Sequence, residues 1–478
     1  MKIWNKYKKL PVQVRASLWY TICNFFQKGI SFVVVPIYVR LLTTGEYGEW
    51  SVFQSWRDIL IIFASLNLYA GVYTKTLVDN KDDRDRYTAS MQGLGTLISL
   101  ALLLVYFLTH EWCNRVIGLD TPMMLLLFLY FIVYPAFSFW GTRQRVENRY
   151  KPMVAATVAV SVLTPSLSIL LLAKTDLRER ALILGYLVVQ CCVGMVFYVY
   201  HFSKGKCFYH KGYWKYAAKF NVPLIPHYLS LIVLGQSDRI MIKHYCGESD
   251  AGIYSFAYQI ASVMNVLLAA INGSRVPWSY EQLRDRIYGP LRKLSNGLCL
   301  VMGAITLMAA LLSPDLIRIL GTAEYKMAIY VIPVVALGVY YTYCYDMFCT
   351  VEFYYGATRY VMIASVVGAL VNVILNAVFI PIFGFIAAAY TTLFSYMAFM
   401  FMHYVFMHRV MREQGIEGEI YDIRFTFLFS AVLSIVTFGC ILTYQNDWLR
   451  YAIIGTIIIG LFASKNRLLT LAHTMRKR

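Results

Sequence analysis

Tyr360–Pro381 reads YVMIASVVGALVNVILNAVFIP, a run of helical length without one charged side chain. A hydrocarbon core of about 30 Å is crossed by about 20 apolar residues in a helix, and this run supplies them. Similar runs fill the chain on either side. Fourteen can be placed, near 16–39, 47–73, 87–109, 121–141, 153–173, 181–202, 217–244, 251–273, 295–313, 327–350, 360–381, 384–407, 424–444 and 448–464. Strands of a membrane barrel would instead alternate over segments of about ten residues. The expected fold is therefore all-α: a polytopic membrane protein of about 14 transmembrane helices.

Composition agrees. Hydrophobic residues make up 59% of the chain and charged residues 15%, against roughly 45–50% and 25% in soluble domains. No polar stretch is long enough to fold a core of its own. The net charge of +18 would suggest nucleic acid in a soluble protein. Here the basic residues lie between apolar runs, where they set topology, and no nucleic-acid partner is expected. With the N-terminus inside, inner segments carry 32 of the 44 Lys and Arg and outer segments 9, charges at span edges being counted with the adjoining segment. Lys28, Arg57 and Arg239 remain within spans. The asymmetry predicts both termini on the cytoplasmic face. The first run continues to Arg40 without a small-residue cleavage site, so it reads as a retained span.

Enzyme and cofactor signatures are not present in the sequence: it holds no HExxH, GxSxG or Walker loop, and no nucleotide domain. Ten cysteines are scattered without a CxxC, only Cys191-Cys192 being adjacent. Neither a disulfide framework, a metal site nor a cofactor is expected from that spacing.

The chain also repeats itself. Gly45-Glu-Tyr-Gly-Glu-Trp-Ser51 follows the first span and Ser249-Asp-Ala-Gly-Ile-Tyr-Ser255 the seventh; Arg149-Tyr150 precedes the fifth and Arg359-Tyr360 the eleventh. The expected organisation is an N-terminal lobe over 1–202, a cytoplasmic linker over 203–216 and a C-terminal lobe over 217–408. A loop, two further spans and a basic tail follow over 409–478. Parallel six-span halves around a midplane site are a transporter architecture.

Ionisable groups inside a membrane are costly and mark function by default. Tyr20, Asn24, Lys28 and Ser31 share one face of the first span, with Lys28 about 18 Å from its inner end. A lysine paired with a carboxylate to pack helices is the competing reading. Arg57-Asp58 lie in the second span; adjacent residues point about 100° apart, so they need not pair. Span seven opens Pro223-Leu-Ile-Pro-His227, where two prolines permit a bend, and ends at Asp238-Arg239, a structural or gating cluster. Tyr254, Tyr258, Ser262, Asn265 and Asn272 form a stripe on span eight that leads to Arg275. Span ten carries Tyr340, Tyr341, Tyr343, Tyr345 and Asp346, with Glu352 beyond; such tyrosines fit sugar stacking or an interfacial belt. Asn372 and Asn376 in span eleven fit close helix packing.

With Leu41-Leu-Thr-Thr-Gly-Glu-Tyr-Gly-Glu49, Val222-Pro-Leu-Ile-Pro-His227, Ser237-Asp-Arg-Ile-Met241, Ala251-Gly-Ile-Tyr-Ser255, Asn372-Val-Ile-Leu-Asn376 and Ile380-Pro-Ile-Phe-Gly384, the chain resembles the Wzx-type oligosaccharide flippases. These serve O-antigen, capsule and exopolysaccharide pathways within the multidrug/oligosaccharidyl-lipid/polysaccharide exporter superfamily. The resemblance implies two MATE-like six-helix lobes, alternating access, and residence among the lipids of the bacterial inner membrane. It implies an undecaprenyl-pyrophosphate-linked glycan as substrate, H+ or Na+ coupling, and contact with polysaccharide polymerase machinery. On that basis Lys28, Arg57, Asn24, Asn265, Asn272, Arg275 and Tyr258 are candidate substrate ligands. Asp58, His227, Asp238, Arg239, Asp346 and Glu352 are candidate coupling or gating groups. A cation-coupled drug exporter and a lipid II flippase of the same fold stay open. A membrane polymerase or glycosyltransferase resembles chains with a large outer catalytic loop; every outer loop here is short, and no enzyme is expected.

Overall fold

The computed structural model describes residues 11–70, 72–79 and 82–463. The N-terminal basic stretch and the expected basic tail lie outside them. Among the described residues all regular structure is helical.

Twelve helical segments are long and apolar enough to cross a membrane. The other two expected spans are also helices. Thr44–Ser65 carries too many polar residues to qualify, and Asp447–Ala463 is short at 17 residues. The expected second span, 47–73, is cut at Ser65, where Leu66 and Asn67 turn left-handed (φ 45° and 50°); the Ser65 hydroxyl accepts the Asn67 N–H at 3.2 Å and fixes that turn. In a soluble protein, exposed Leu104, Leu108 and Ile435 would be aggregation sites; on these helices they are lipid-facing surface.

The chain divides into two compact units, Met1–Gln236 and Ser237–Arg478. The first holds α1 (Val12–Leu41), α2 (Thr44–Ser65), α3 (Val72–Asp79), α4 (Arg84–Ile117), α5 (Thr121–Val146), α6 (Tyr150–Lys174), α7 (Glu179–Gly205), α8 (Lys211–Asn221) and the start of α9 (Ile225–Cys246). A capping box starts α2: Thr43 Oγ1 accepts the Glu46 N–H while Glu46 Oε2 accepts the Thr43 N–H, satisfying two orphan donors. Helices α5 and α7 pack so closely at Gly194 that a Cβ there would stand 2.7 Å from the Val133 carbonyl oxygen. The acidic run before α4, which reads as a solvated loop, ends in ion pairs: Asp85 with Arg143, and Arg84 with Glu147. The expected linker 203–216 is partly helical. Trp214 of α8 donates its indole N–H to the Ser90 carbonyl at 2.9 Å, and Ala217 joins a core of Tyr73, Tyr87 and Phe139. Between α8 and α9, Val222–Leu224 forms a 3-10 turn at Pro223, the interruption the two prolines predict.

The second unit holds the rest of α9, then α10 (Glu248–Ala261), α11 (Val263–Arg284), α12 (Tyr288–Leu311), α13 (Ser313–Leu320), α14 (Val331–Tyr354), α15 (Thr358–Phe383), α16 (Ile386–Glu413), α17 (Ile423–Ile441) and α18 (Asp447–Ala463). α14 is buried nearly all round, as expected of a helix apolar on every face. Its tyrosines are neither an interfacial belt nor a free stacking surface. Tyr340 and Tyr341 hydroxyls bond Ser430 and Ser434 of α17, each at 2.9 Å, and Tyr343 donates to the Ser295 carbonyl of α12. Expected span eight is two helices joined at Ser262. The repeated motifs hold equivalent places: Gly48 is the fifth residue of α2 and Gly252 the fifth of α10.

Candidate functional site

In the first unit, α1 is exposed over most of its surface, including the face that carries Asn24, Lys28 and Ser31. Gln27 donates to Ser161 of α6 at 3.2 Å and ties α1 to that helix. Lys28 makes no hydrogen bond or ion pair among the described residues, so the reading of a lysine paired for packing finds no carboxylate here.

Arg57 and Asp58 do pair. Arg57 Nε and Nη2 both donate to Asp58 Oδ1, at 3.0 and 2.7 Å. The flexible arginine stem closes the angle that adjacent helical positions open. Asp58 Oδ2 accepts from Gln236 at 3.1 Å, and Gln236 Oε1 accepts from Ser55 at 3.2 Å. The guanidinium lies over the Tyr186 ring, 4.5 Å from its centroid. Tyr186 and Tyr130 hydroxyls stand 3.4 Å apart, the Tyr134 ring lies tilted against Tyr130 at 4.8 Å, and Trp50 meets Tyr186 edge-on. Arg57 is thus a cation held in an aromatic nest. No hydrogen bond or ion pair joins Lys28 to Arg57 among the described residues, and His227 stands half-buried beside Tyr228.

The second unit gathers the other candidates into three polar groups. In the first, Asp238 of α9, 1% exposed, accepts from Tyr254 of α10, from Asn376 of α15 at 2.7 Å and from Thr392 of α16 at 2.8 Å. Asn372 donates to Thr392 at 2.9 Å and accepts from Ser237 at 3.3 Å; Thr391 donates to Asn376. Asn372 and Asn376 therefore serve the carboxylate as well as packing; close approach in α15 belongs to Gly368, where a Cβ would meet the Phe399 ring at 2.0 Å. Tyr258, Asn265, Thr342, Thr392 and Tyr396 line a small cavity of about 20 Å³, room for one water. Arg239 stacks on Tyr258 at 4.6 Å.

In the second group, Asn272 bridges two charges. Its amide donates to Asp346 at 2.8 Å, and its carbonyl accepts Arg275 Nε and Nη2 at 3.1 and 3.0 Å. Arg275 also donates to Thr350 at 3.3 Å; it is 1% exposed, and its Nη1 has no partner. The stripe on span eight thus leads to an arginine inside the helix packing, not on its surface. The third group is Glu352 with His403, 2.8 Å apart and both fully buried. His403 carried the signal of an ionisable residue inside an expected span, but nothing in the sequence ties it to Glu352, 51 residues earlier.

These helices and intramembrane charges define a multi-pass membrane protein of transporter type. The chain belongs to the polysaccharide biosynthesis protein family, whose model matches residues 14–282, and the resemblance to Wzx-type flippases holds at that level. It is 26% identical over 376 residues to an uncharacterized membrane protein of Haemophilus influenzae, covering 75% of this chain and 88% of that one. It is 23% identical over 282 residues to the succinoglycan biosynthesis transport protein ExoT of Rhizobium meliloti, covering 56% and 54%. The lipid II flippase MurJ in an inward closed conformation shares the fold, with TM-score 0.68 and 14% identity over 94% of this chain and 99% of that one. So does an inward-facing multidrug MATE transporter, at TM-score 0.61 and 12% identity over 82% and 96%.

Proposed function

We propose that this protein moves an undecaprenyl-pyrophosphate-linked oligosaccharide from the inner to the outer leaflet of a bacterial cytoplasmic membrane. It does so by alternating access between two six-helix lobes, with both termini cytoplasmic. One observation carries the reading: Lys28 lies deep in an apolar helix, exposed, with no carboxylate paired to it among the described residues. A lone ammonium facing lipid at that depth is costly; one facing a passage for anions has a purpose. A pyrophosphate crossing the bilayer needs cationic partners, and Lys28 with Arg57 supplies them. Tyr134 and Tyr186, the half-buried rings of that nest, serve the sugars, while the prenyl chain stays in lipid. A drug exporter for cations would place carboxylates there instead.

Coupling falls to Asp238. Asp58 is neutralised by Arg57, Asp346 is bridged to Arg275, and Glu352 faces His403. Asp238 receives its hydrogen bonds from hydroxyls and an amide, an oxygen-rich setting that suits H+ or a hard monovalent cation such as Na+. The grouping beside a water-sized cavity supports that assignment.

The test is flipping in proteoliposomes, with lipid-linked oligosaccharide, lipid II and a cationic drug offered separately. The oligosaccharide should move faster than in protein-free vesicles, and faster under an imposed H+ or Na+ gradient. Transport of the drug alone, or of lipid II alone, would replace this reading by the corresponding alternative.

A further inference from the structure

We propose that Cys349, Glu352 and His403 form a binding site for a divalent transition-metal ion of the zinc class. The thiol sulfur, one carboxylate oxygen and one ring nitrogen lie within 4.8 Å of one another. Cys349 and Glu352 are three residues apart on α14, so they share a face, and His403 meets them from α16. Burial is complete: Cys349 is 6% exposed, His403 1% and Glu352 0%. The imidazole is held in place between the Tyr345 ring, stacked at 5.6 Å, and the edge of Phe399 at 5.4 Å.

The second observation is an oxygen without a partner. His403 Nδ1 bonds Glu352 Oε1, but Glu352 Oε2 is buried and bonded to nothing. A bare carboxylate oxygen in a dry interior is destabilising, and a simple Glu–His pair leaves it so. A metal ion corrects it. Cys349 releases its thiol proton, and the single ring proton of a neutral His403 moves from Nδ1 to Nε2, which frees Nδ1 to bind the metal. Thiolate and carboxylate then contribute two negative charges, which cancel a divalent cation, so the buried cluster carries no net charge. A set of S, N and O donors favours zinc over Na+, Mg2+ or Ca2+, and zinc sites with three protein ligands are common. The bound ion would staple α14 to α16. This inference does not rest on the transport reading, because its readout is metal binding.

Full-length protein, purified in detergent and stripped with a chelator, is titrated with Co2+ as the spectroscopic stand-in for Zn2+. One equivalent should give a thiolate-to-cobalt charge-transfer band and the visible bands of a four-coordinate site, both erased by Zn2+. Cys349→Ser should abolish the charge-transfer band. Glu352→Gln and His403→Gln should each weaken binding by at least about tenfold, the least that even an outer-shell partner of a metal is worth. Zn2+ should raise the unfolding midpoint of the wild type and of none of these variants, a comparison internal to each protein. A charge-transfer band that survives Cys349→Ser would assign the metal to another cysteine and overturn the proposal. So would monodisperse wild-type protein that takes up no Co2+, which would leave the cluster a buried Glu–His pair.

Discussion

Asn376 Nδ2 stands 2.7 Å from Asp238 Oδ1, and the same asparagine accepts a hydrogen bond from Thr391 through its carbonyl. The amide orientation is thereby fixed, and its donor end serves the carboxylate. Helices α9, α10, α15 and α16 all converge on this one buried acid. Asp238→Asn should insert and fold, because asparagine keeps the shape, yet lose the response of transport to an imposed cation gradient. Asn376→Ala should keep coupling with tighter cation binding, by about 10- to 100-fold, because the lost hydrogen bond stabilised the cation-free carboxylate. Transport rates against H+ and Na+ gradients check both. An unchanged gradient response in Asp238→Asn would move coupling to another carboxylate.

Asp346 provides the internal comparison. Asn272 already bridges it to Arg275, so Asp346→Asn should leave gradient dependence intact if coupling rests on Asp238. Its cost should appear as instability, since Arg275 then sits buried beside a neutral group. Breaking a buried charge arrangement in this way costs about 3–5 kcal/mol, read as a lowered unfolding midpoint in detergent. Loss of gradient response without loss of stability would reverse the assignment.

The spans were legible because bilayer thickness imposes one length on every apolar run, whatever the residues do. The bend at Pro223 was legible too, since proline removes a backbone donor wherever it falls. The second span's early end was not: Ser65-Leu66-Asn67 looks apolar enough to continue, and only the left-handed turn stops it. Site residues were half legible. A charge in an apolar run announces itself, so Lys28, Arg57, Asp238, Asp346 and Glu352 stood out. Their partners did not. Thr392 and Tyr186 are ordinary residues for membrane helices, and His403, though ionisable and inside a span, carries no sign of its partner; only packing brings them to the charge. The pairing of Arg57 with Asp58 was missed because helical geometry fixes Cβ directions, not the reach of a long side chain.

Glu46 gives a pH-dependent contact outside the apolar part of α2. Burial alone would push its carboxyl above the usual glutamate value, but hydrogen bonds from Arg178 and from Thr43 outweigh that and hold it below. Because the folded value is lowered, the contact stabilises above the unfolded glutamate value and is lost as pH falls through the folded one. Arg178 donates twice, at 2.6 and 2.8 Å, from a half-exposed position. A pair of that kind is worth up to about 1 kcal/mol. Arg178→Ala should lower the unfolding midpoint slightly at neutral pH and by less in acid, where the wild type has lost the contact as well. An equal deficit at both would show that Glu46 is not the titrating partner.

Orientation follows from the distribution of basic residues. A cysteine at Leu177, between α6 and α7, should react with a membrane-impermeant reagent in intact cells. One at His210, at the start of α8, should react only after permeabilisation. The background must lack the native cysteines, of which Cys113, Cys207 and Cys246 are half-buried and would report on their own. The opposite labelling pattern would place both termini outside and invert the proposed direction of transport.

Lys28 is the sharpest test of substrate chemistry. It is the one basic residue among the apolar positions of α1, and Asn24 and Ser31 share its face. Because no carboxylate holds it, removing its charge leaves no buried partner behind, and Lys28→Ala should insert and unfold like the wild type. Transport should fall by about 10- to 100-fold, the worth of one charge-assisted contact to a phosphate. Lys28→Gln, of similar length without charge, should fall as far. Lys28→Arg should retain part of the activity, since the charge survives with altered geometry. The measurement is flipping of lipid-linked oligosaccharide at matched protein levels, with binding of a shortened pyrophosphate-linked analogue as a second readout. Near-normal transport by Lys28→Gln would remove the ammonium from the mechanism. Loss of transport with unchanged analogue binding would move Lys28 from phosphate ligand to a part of the conformational cycle.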